Sequence, residues 1–314
     1  MKIMLTGATG FIGKSLVFEL LQQNFNVSIA VRQKTNLFPC KVKQFVVGDF
    51  EDNPDFSASL TKVDCVIHLA GRAHVIDKIK SSELNDFRNI NKDLTLHLAK
   101  QAIDSGVKRF LFLSSIRVNG NQNNKPFLET DTPNPQESYA ISKYEAEQGL
   151  MRLSQDTGLE VVIIRPPLVY GYGAPGNFGR LVKWVGAKLI LPLPLGSVKN
   201  ARSLIAIDNL VSFIITCIAH KNAANEVFFI SDREDLSTTQ LLRKIAKAFN
   251  KKIFLLPIPV QLMIFLAGLL GRRADAIRLF SSLRVDSSKA KELLDWDPKI
   301  TMDEQLLKIA KAQK

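Results

Sequence analysis

The feature that most narrows the fold is a run near the start of the chain, Thr6-Gly7-Ala8-Thr9-Gly10-Phe11-Ile12-Gly13. It joins a short apolar strand to a helix that is apolar on one face. Three glycines at such a junction allow a tight turn and let backbone N–H groups approach an anion at the helix start. The strand-helix alternation then repeats. Apolar β-rich runs occur at Ile3–Leu5, Asn26–Val31, Lys43–Val47, Cys65–Leu69, Arg109–Ser114 and Glu160–Arg165. Helical segments at Gly13–Gln23, Asn91–Ser105 and Glu137–Thr157 connect them. Strands fed by helices pair in parallel, and helices on both faces predict a doubly wound α/β sheet.

After Arg165 the texture changes, because Pro166, Pro167, Pro175, Pro192 and Pro194 interrupt regular structure to about residue 201. Beyond it, Ser203–His220 reads as strand then helix, Val227–Ile230 as a strand, and Leu236–Asn250 and Ser287–Leu294 as helices. The expected organisation is a dinucleotide-binding Rossmann domain over 1–167, to which 203–230 returns. Segments 168–202 and 231–314 would form a smaller substrate-binding lobe.

Net charge is +12, which favours anionic partners. No run of five basic residues occurs and no aromatics interleave with the lysines, so nucleic acid is not among the expected partners. Cys40, Cys65 and Cys217 are far apart, with no CxxC pair, so neither a disulfide framework nor a metal site is expected. A reducing cytoplasm is the simplest home. The opening strand leaves no room for a secretion signal. The apolar stretch Ile253–Gly271 is broken by Pro257, Pro259 and Gln261, and its remainder, Leu262–Leu270, is too short to span a bilayer. A packed lobe helix is the favoured reading of Leu255–Leu270, over an interfacial helix anchored by Arg272-Arg273.

The glycine turn makes Gly7, Thr9, Gly10, Phe11, Ile12 and Gly13 candidate cofactor contacts. At the end of the second strand, where an NAD site usually places an acid, the chain reads Ala30-Val31-Arg32-Gln33-Lys34. Arg32 can grip a 2′-phosphate, which favours NADP(H), with NAD as the alternative. Tyr139 and Lys143 stand four apart on a helix and project from one face about 6 Å apart along the axis. An ammonium about 5 Å from a phenol would lower its pKa of about 10 by roughly two units, into acid/base range. Ser114-Ser115 ends a strand at the sheet edge where ligands bind; either hydroxyl could orient a carbonyl, or simply cap the strand-end backbone.

These residues resemble the extended short-chain dehydrogenase/reductases, the NAD-dependent epimerase/dehydratase family. TGxxGxxG at Thr6–Gly13, Gly48-Asp49, His68-Leu69-Ala70-Gly71, Asn91, Ser114-Ser115, Tyr139xxxLys143, Arg165-Pro166-Pro167 and Val169-Tyr170-Gly171 follow the family's order. The resemblance implies Ser115, Tyr139 and Lys143 as catalytic residues. It puts Asp49 and Phe50 by the adenine, and Ala70 and Gly71 beneath the ribose. Leu69, Asn91, Pro166 and Leu168 join the implied cofactor contacts. It puts Ser114, Ser115, Asn177 and Arg202 at the substrate, the last two at a diphosphate. A second diphosphate arginine is expected among Arg272, Arg273, Arg278 and Arg284. Without the family, Asp49 reads as a turn residue and His68 as a satisfied histidine near the core.

The implied chemistry is hydride transfer at C4 of a UDP-hexose. Arg32 and the run Leu111–Gly120 favour a UDP-4-keto-6-deoxy-N-acetylhexosamine 4-reductase of O-antigen or polysaccharide synthesis. The alternative is a UDP-glucose or UDP-GlcNAc 4-epimerase, or a 4-epimerase of a polyprenyl-linked sugar. A 4,6-dehydratase is disfavoured because Ile116 and Arg117 replace that class's acidic pair. A non-catalytic NADP-sensing protein ranks lower, since Tyr139 and Lys143 are both present. By analogy a homodimer is expected, through the Tyr139 helix and Asn91–Ser105.

Overall fold

A computed structural model describes residues 1–73, 83–187 and 192–313. The amino-terminal part runs β1 (Lys2–Thr6), α1 (Phe11–Gln22), β2 (Asn26–Val31), β3 (Lys43–Val46), α2 (Ser57–Leu60), β4 (Cys65–His68), α3 (Glu83–Arg88), α4 (Leu94–Asp104), β5 (Arg109–Leu113), α5 (Ser138–Thr157) and β6 (Glu160–Arg165). There follow β7 (Leu168–Tyr170), α6 (Gly176–Gly186), β8 (Leu204–Ala206), α7 (Ile207–Ala219), β9 (Glu226–Phe229), α8 (Thr238–Ala248), α9 (Val260–Leu269), α10 (Arg273–Phe280), α11 (Ser288–Leu294) and α12 (Met302–Ala312).

Seven strands form one parallel sheet in the order β3-β2-β1-β4-β5-β6-β9. Successive side chains on a strand point to opposite faces, so Ile3 and Leu5 enter the core beneath α1 and α7, while Met4 enters the core beneath α4 and α5. Both faces are buried, which is why these strands are apolar without alternation. The strand order reverses between β1 and β4, and such a switch point opens a crevice beyond the strand ends. The glycine turn follows β1 there, and Leu69–Gly71 follow β4.

The stretch read from sequence as irregular, 166 to 201, contains β7 and the eleven-residue α6. Gly179 is not a breaker: a Cβ there would lie 2.2 Å from the Ala174 carbonyl oxygen, so close packing selects glycine inside the helix. β7 pairs with β8 in a separate two-stranded sheet, whereas β9 joins the main sheet. The smaller lobe packs α6, α8 and α12 around Phe178, Val182, Leu242, Ile245 and Leu306. Capping boxes start α8 (Ser237 with Gln240) and α12 (Thr301 with Glu304).

The packed-helix reading of Leu255–Leu270 is corrected. α9 has no buried residue, although Val260 and Met263 touch the lobe core from one side. Among the described residues, no helix is long and apolar enough to cross a membrane.

Candidate active site

Each glycine of the first turn answers to a close approach. Gly7 has φ +71°, and a Cβ there would lie 2.6 Å from the Ala70 nitrogen; one on Gly13 would lie 2.2 Å from the Gly7 carbonyl oxygen. The turn therefore lies against the end of β4. Gly10 caps α1 with no side-chain hydrogen bond, and the helix has no acid in its first turn, so its opening N–H groups remain available to an anion. Thr9 is exposed, and Phe11 and Ile12 are half-buried against the core. Gly71 flanks this floor: a Cβ there would come within 3.2 Å of the Lys143 ammonium and 3.0 Å of Asn91 Oδ1. A backbone cradle without room for side chains, ending at a lysine and an uncapped helix start, fits a dinucleotide.

Asn91 lies in a π-helical turn between α3 and α4. Its amide donates to the Arg72 carbonyl and to Ser142 Oγ (3.1 and 3.0 Å), and its Oδ1 accepts from the Arg72 N–H at 2.8 Å. That ties Gly71-Arg72 to the helix bearing Tyr139 and Lys143. His68 sits below, between Thr6 Oγ1 (2.7 Å) and Thr95 Oγ1 (3.0 Å), with burial pushing it down to about 3, so it is a neutral core histidine.

At the outer edges, Arg32 is exposed at the end of β2 and forms no ion pair among the described residues. Asp49 is exposed and its carboxylate accepts from the Glu51 N–H at 3.1 Å, as a turn residue does. Phe50 packs on Phe56. Pro166 is buried and Leu168 is exposed.

α5 brings Tyr139, Lys143 and Glu147 to one buried side at intervals of four. Lys143 donates to the Leu113 carbonyl at 3.0 Å and lies 4.4 Å from the Phe112 ring centroid. Burial pushes its ammonium down to about 7, opposed by Glu147. Glu147 pairs with Arg165, whose Nη1 donates to Asn119 at 2.8 Å, and so pins α5 to β6. Burial also raises the Tyr139 phenol; Arg117 and a hydrogen bond from Ser115 work against that rise. Contrary to expectation, Lys143 is not the charge that opposes this rise: its ammonium donates to the end of β5, and Arg117 supplies the opposing charge. Ser115 Oγ also accepts from the Arg117 N–H at 3.3 Å. Ser114 Oγ is buried without a hydrogen-bond partner among the described residues, so it does not cap the strand end.

Arg202 is drawn toward the same cleft, its backbone pairing with Leu236 and its guanidinium donating to the Arg278 carbonyl at 3.1 Å. Burial and the positive fields of Arg117 and Arg278 hold its pKa down. Arg117 and Arg278 both pair with Glu137, the residue before α5. Two guanidiniums thus share one carboxylate with a third, Arg202, beside them, and the surplus positive charge near Tyr139 suits a diphosphate. Among the four candidates for a second diphosphate arginine, the structure brings Arg278 to Arg202. Asn177 is exposed in the first turn of α6, and no contact among the described residues joins it to this cluster.

A model of the NAD dependent epimerase/dehydratase family matches residues 3–231. The UDP-glucose 4-epimerase of Vibrio cholerae is 43% identical over 314 residues, covering 99% of this chain and 94% of that protein. The chain belongs to the NAD-dependent epimerase/dehydratase family. Two solved structures share its fold from end to end. A UDP-N-acetylglucosamine 4-epimerase from Bacillus cereus superposes with TM-score 0.82 at 23% identity, covering 100% of this chain and 99% of that one. A UDP-glucose 4-epimerase from Thermotoga maritima, solved with UDP-glucose, gives TM-score 0.80 at 25% identity, covering 99% and 98%.

Within this epimerase/dehydratase chain, sequence reasoning missed the roles of Arg117, Glu137 and Glu147. Glu147 carried a signal, four residues beyond Lys143 on the same helix face. Arg117 and Glu137 carried none, because their neighbours come from distant segments.

Proposed function

We propose that the protein is a 4-epimerase of a UDP-hexose that retains its nicotinamide cofactor through the cycle. The observation that carries this reading is the end-to-end 43% identity with the Vibrio cholerae UDP-glucose 4-epimerase. It favours the epimerase over the 4-reductase that Arg32 and the Leu111–Gly120 run had placed first.

A bound nicotinamide dinucleotide would supply the hydride acceptor and donor for sugar C4. Gly7–Gly13 and the start of α1 would hold its pyrophosphate, Lys143 would hold its ribose, and Ala70 and Gly71 would form the floor. Tyr139 accepts the proton of the C4 hydroxyl as a ketone forms, then returns it to the oxygen on the opposite face. Ser115 donates to that oxygen in both orientations, and the unpaired Ser114 hydroxyl is the next donor at the strand end. Arg117, Arg202 and Arg278 grip the diphosphate, so the hexose can turn over without leaving. Glu147 keeps α5 in register with β6.

Arg32, exposed at the end of β2, would stand by the adenosine ribose and select between NAD and NADP. Arg32→Asp should move preference toward NAD by about tenfold or more in cofactor titration, and unchanged preference would remove Arg32 from the cofactor site.

The functional test incubates the protein with UDP-glucose, UDP-GlcNAc and a UDP-4-keto-6-deoxy sugar. An isomeric product at constant nicotinamide absorbance is expected; NADPH consumed one for one with product would restore the reductase.

A further inference from the structure

The surface feature the catalytic reading leaves unused is α9 with the segment leading into it. Phe254 (65% exposed), Phe265 (62%), Leu269 (70%) and Leu270 (79%) hold their apolar side chains in solvent, with Leu262 and Leu266 about half exposed. A lobe helix ordinarily turns such residues inward. α9 is apolar except for Gln261; among the described residues it packs against α10 and touches the lobe core through Val260 and Met263, with no side chain fully buried. An exposed patch of this kind marks a docking face.

Charge identifies the occupant. From Lys251 to Arg273 the sequence contains Lys251, Lys252, Arg272 and Arg273 and neither Asp nor Glu. Both arginines and Lys252 are exposed at the ends of the apolar run. A second copy of this chain docking on the same face would set those cations against their own kind with no acid between them. An anionic bilayer offers what the patch lacks: hydrocarbon for the phenylalanines and leucines, with phosphate for the basic residues at its rim. At ten residues α9 is about 15 Å long, which suits lying in the interface and rules out crossing.

We propose that α9 and the Phe254 segment dock the protein on an anionic lipid bilayer. The placement has a consequence for the cleft. α10 begins at Arg273 on the patch and reaches Arg278, beside Arg202, within a single short helix, so docking sets the diphosphate-binding arginines near the membrane plane. The proposal holds whichever sugar is epimerised.

The test is co-sedimentation of the full chain with vesicles of phosphatidylethanolamine and phosphatidylglycerol, compared with neutral phosphatidylcholine. Wild type should pellet with the anionic vesicles and be released by high salt. Phe265→Ser/Leu269→Ser should stay in the supernatant, and Arg272→Gln/Arg273→Gln should partition about thirtyfold more weakly. Both variants should keep the wild-type melting temperature and wild-type turnover of soluble UDP-sugar, since neither touches the cleft. Wild type left in the supernatant, or either variant pelleting like wild type, would overturn the proposal. So would sedimentation showing that the serine variant only splits a dimer while lipid binding is absent.

Discussion

Tyr139 sits in surroundings that pull its acidity two ways, burial upward and Arg117 with Ser115 downward. Removing the cation leaves burial less opposed, so Arg117→Gln should raise the phenol's pKa. The alkaline-activated limb of kcat/KM should then move to higher pH, with Arg117→Lys restoring most of the shift; an unmoved limb would separate Arg117 from the phenol. Glu147 is a second residue whose worth lies in a partner. Changing it to Gln leaves the Arg165 guanidinium buried at the β6 end with its counter-charge gone, and equilibrium unfolding should fall by about 3–5 kcal/mol. A loss within error would mean the pair is dispensable to the fold. Tyr139, Lys143 and Ser115 were legible because one helix period and one strand end announce them. Of the arginine cluster, the family resemblance pointed to Arg202 alone: Arg117 carried no signal, and Arg278 looked like three other cations near the carboxyl end until the structure brought it to Arg202.

Among elements, the central strands were the plainest to read. β1, β2, β4, β5 and β6 are mostly apolar because helices cover both faces, and that pattern survives in sequence, while the edge strand β3 was legible despite its exposed ends. β7 and α6 did not stand out, because three residues make no period and because Gly179 inside α6 reflects packing against Ala174. α9 misled in the other direction: its composition argues for burial, whereas the structure holds its side chains outside. β4 carries a prediction. His68 has a folded pKa near 3, against 6.5 in a model peptide, so the unfolded chain binds its proton first as pH falls. Stability from this group is present above pH 6.5 and lost toward pH 3, at about 1.4 kcal/mol per pH unit. Denaturant melts at pH 7, 6, 5 and 4 should show that slope, and His68→Gln should flatten it. Equal slopes would place the acid sensitivity elsewhere.

At the scale of the whole molecule, the sheet's switch point brings the glycine turn, the end of β4 and α5 to one crevice, with the Arg202–Arg278 contact beside it. On the proposed reading, hydride and proton leave and return at one carbon of a sugar held by its diphosphate. The most direct measurement of that claim uses UDP-glucose carrying deuterium at C4. The product C4 epimer should retain the deuterium, with no net cofactor consumed, and Tyr139→Phe should slow its formation about 100- to 10,000-fold. Product with solvent hydrogen at C4, or full turnover by the phenylalanine variant, would contradict the account.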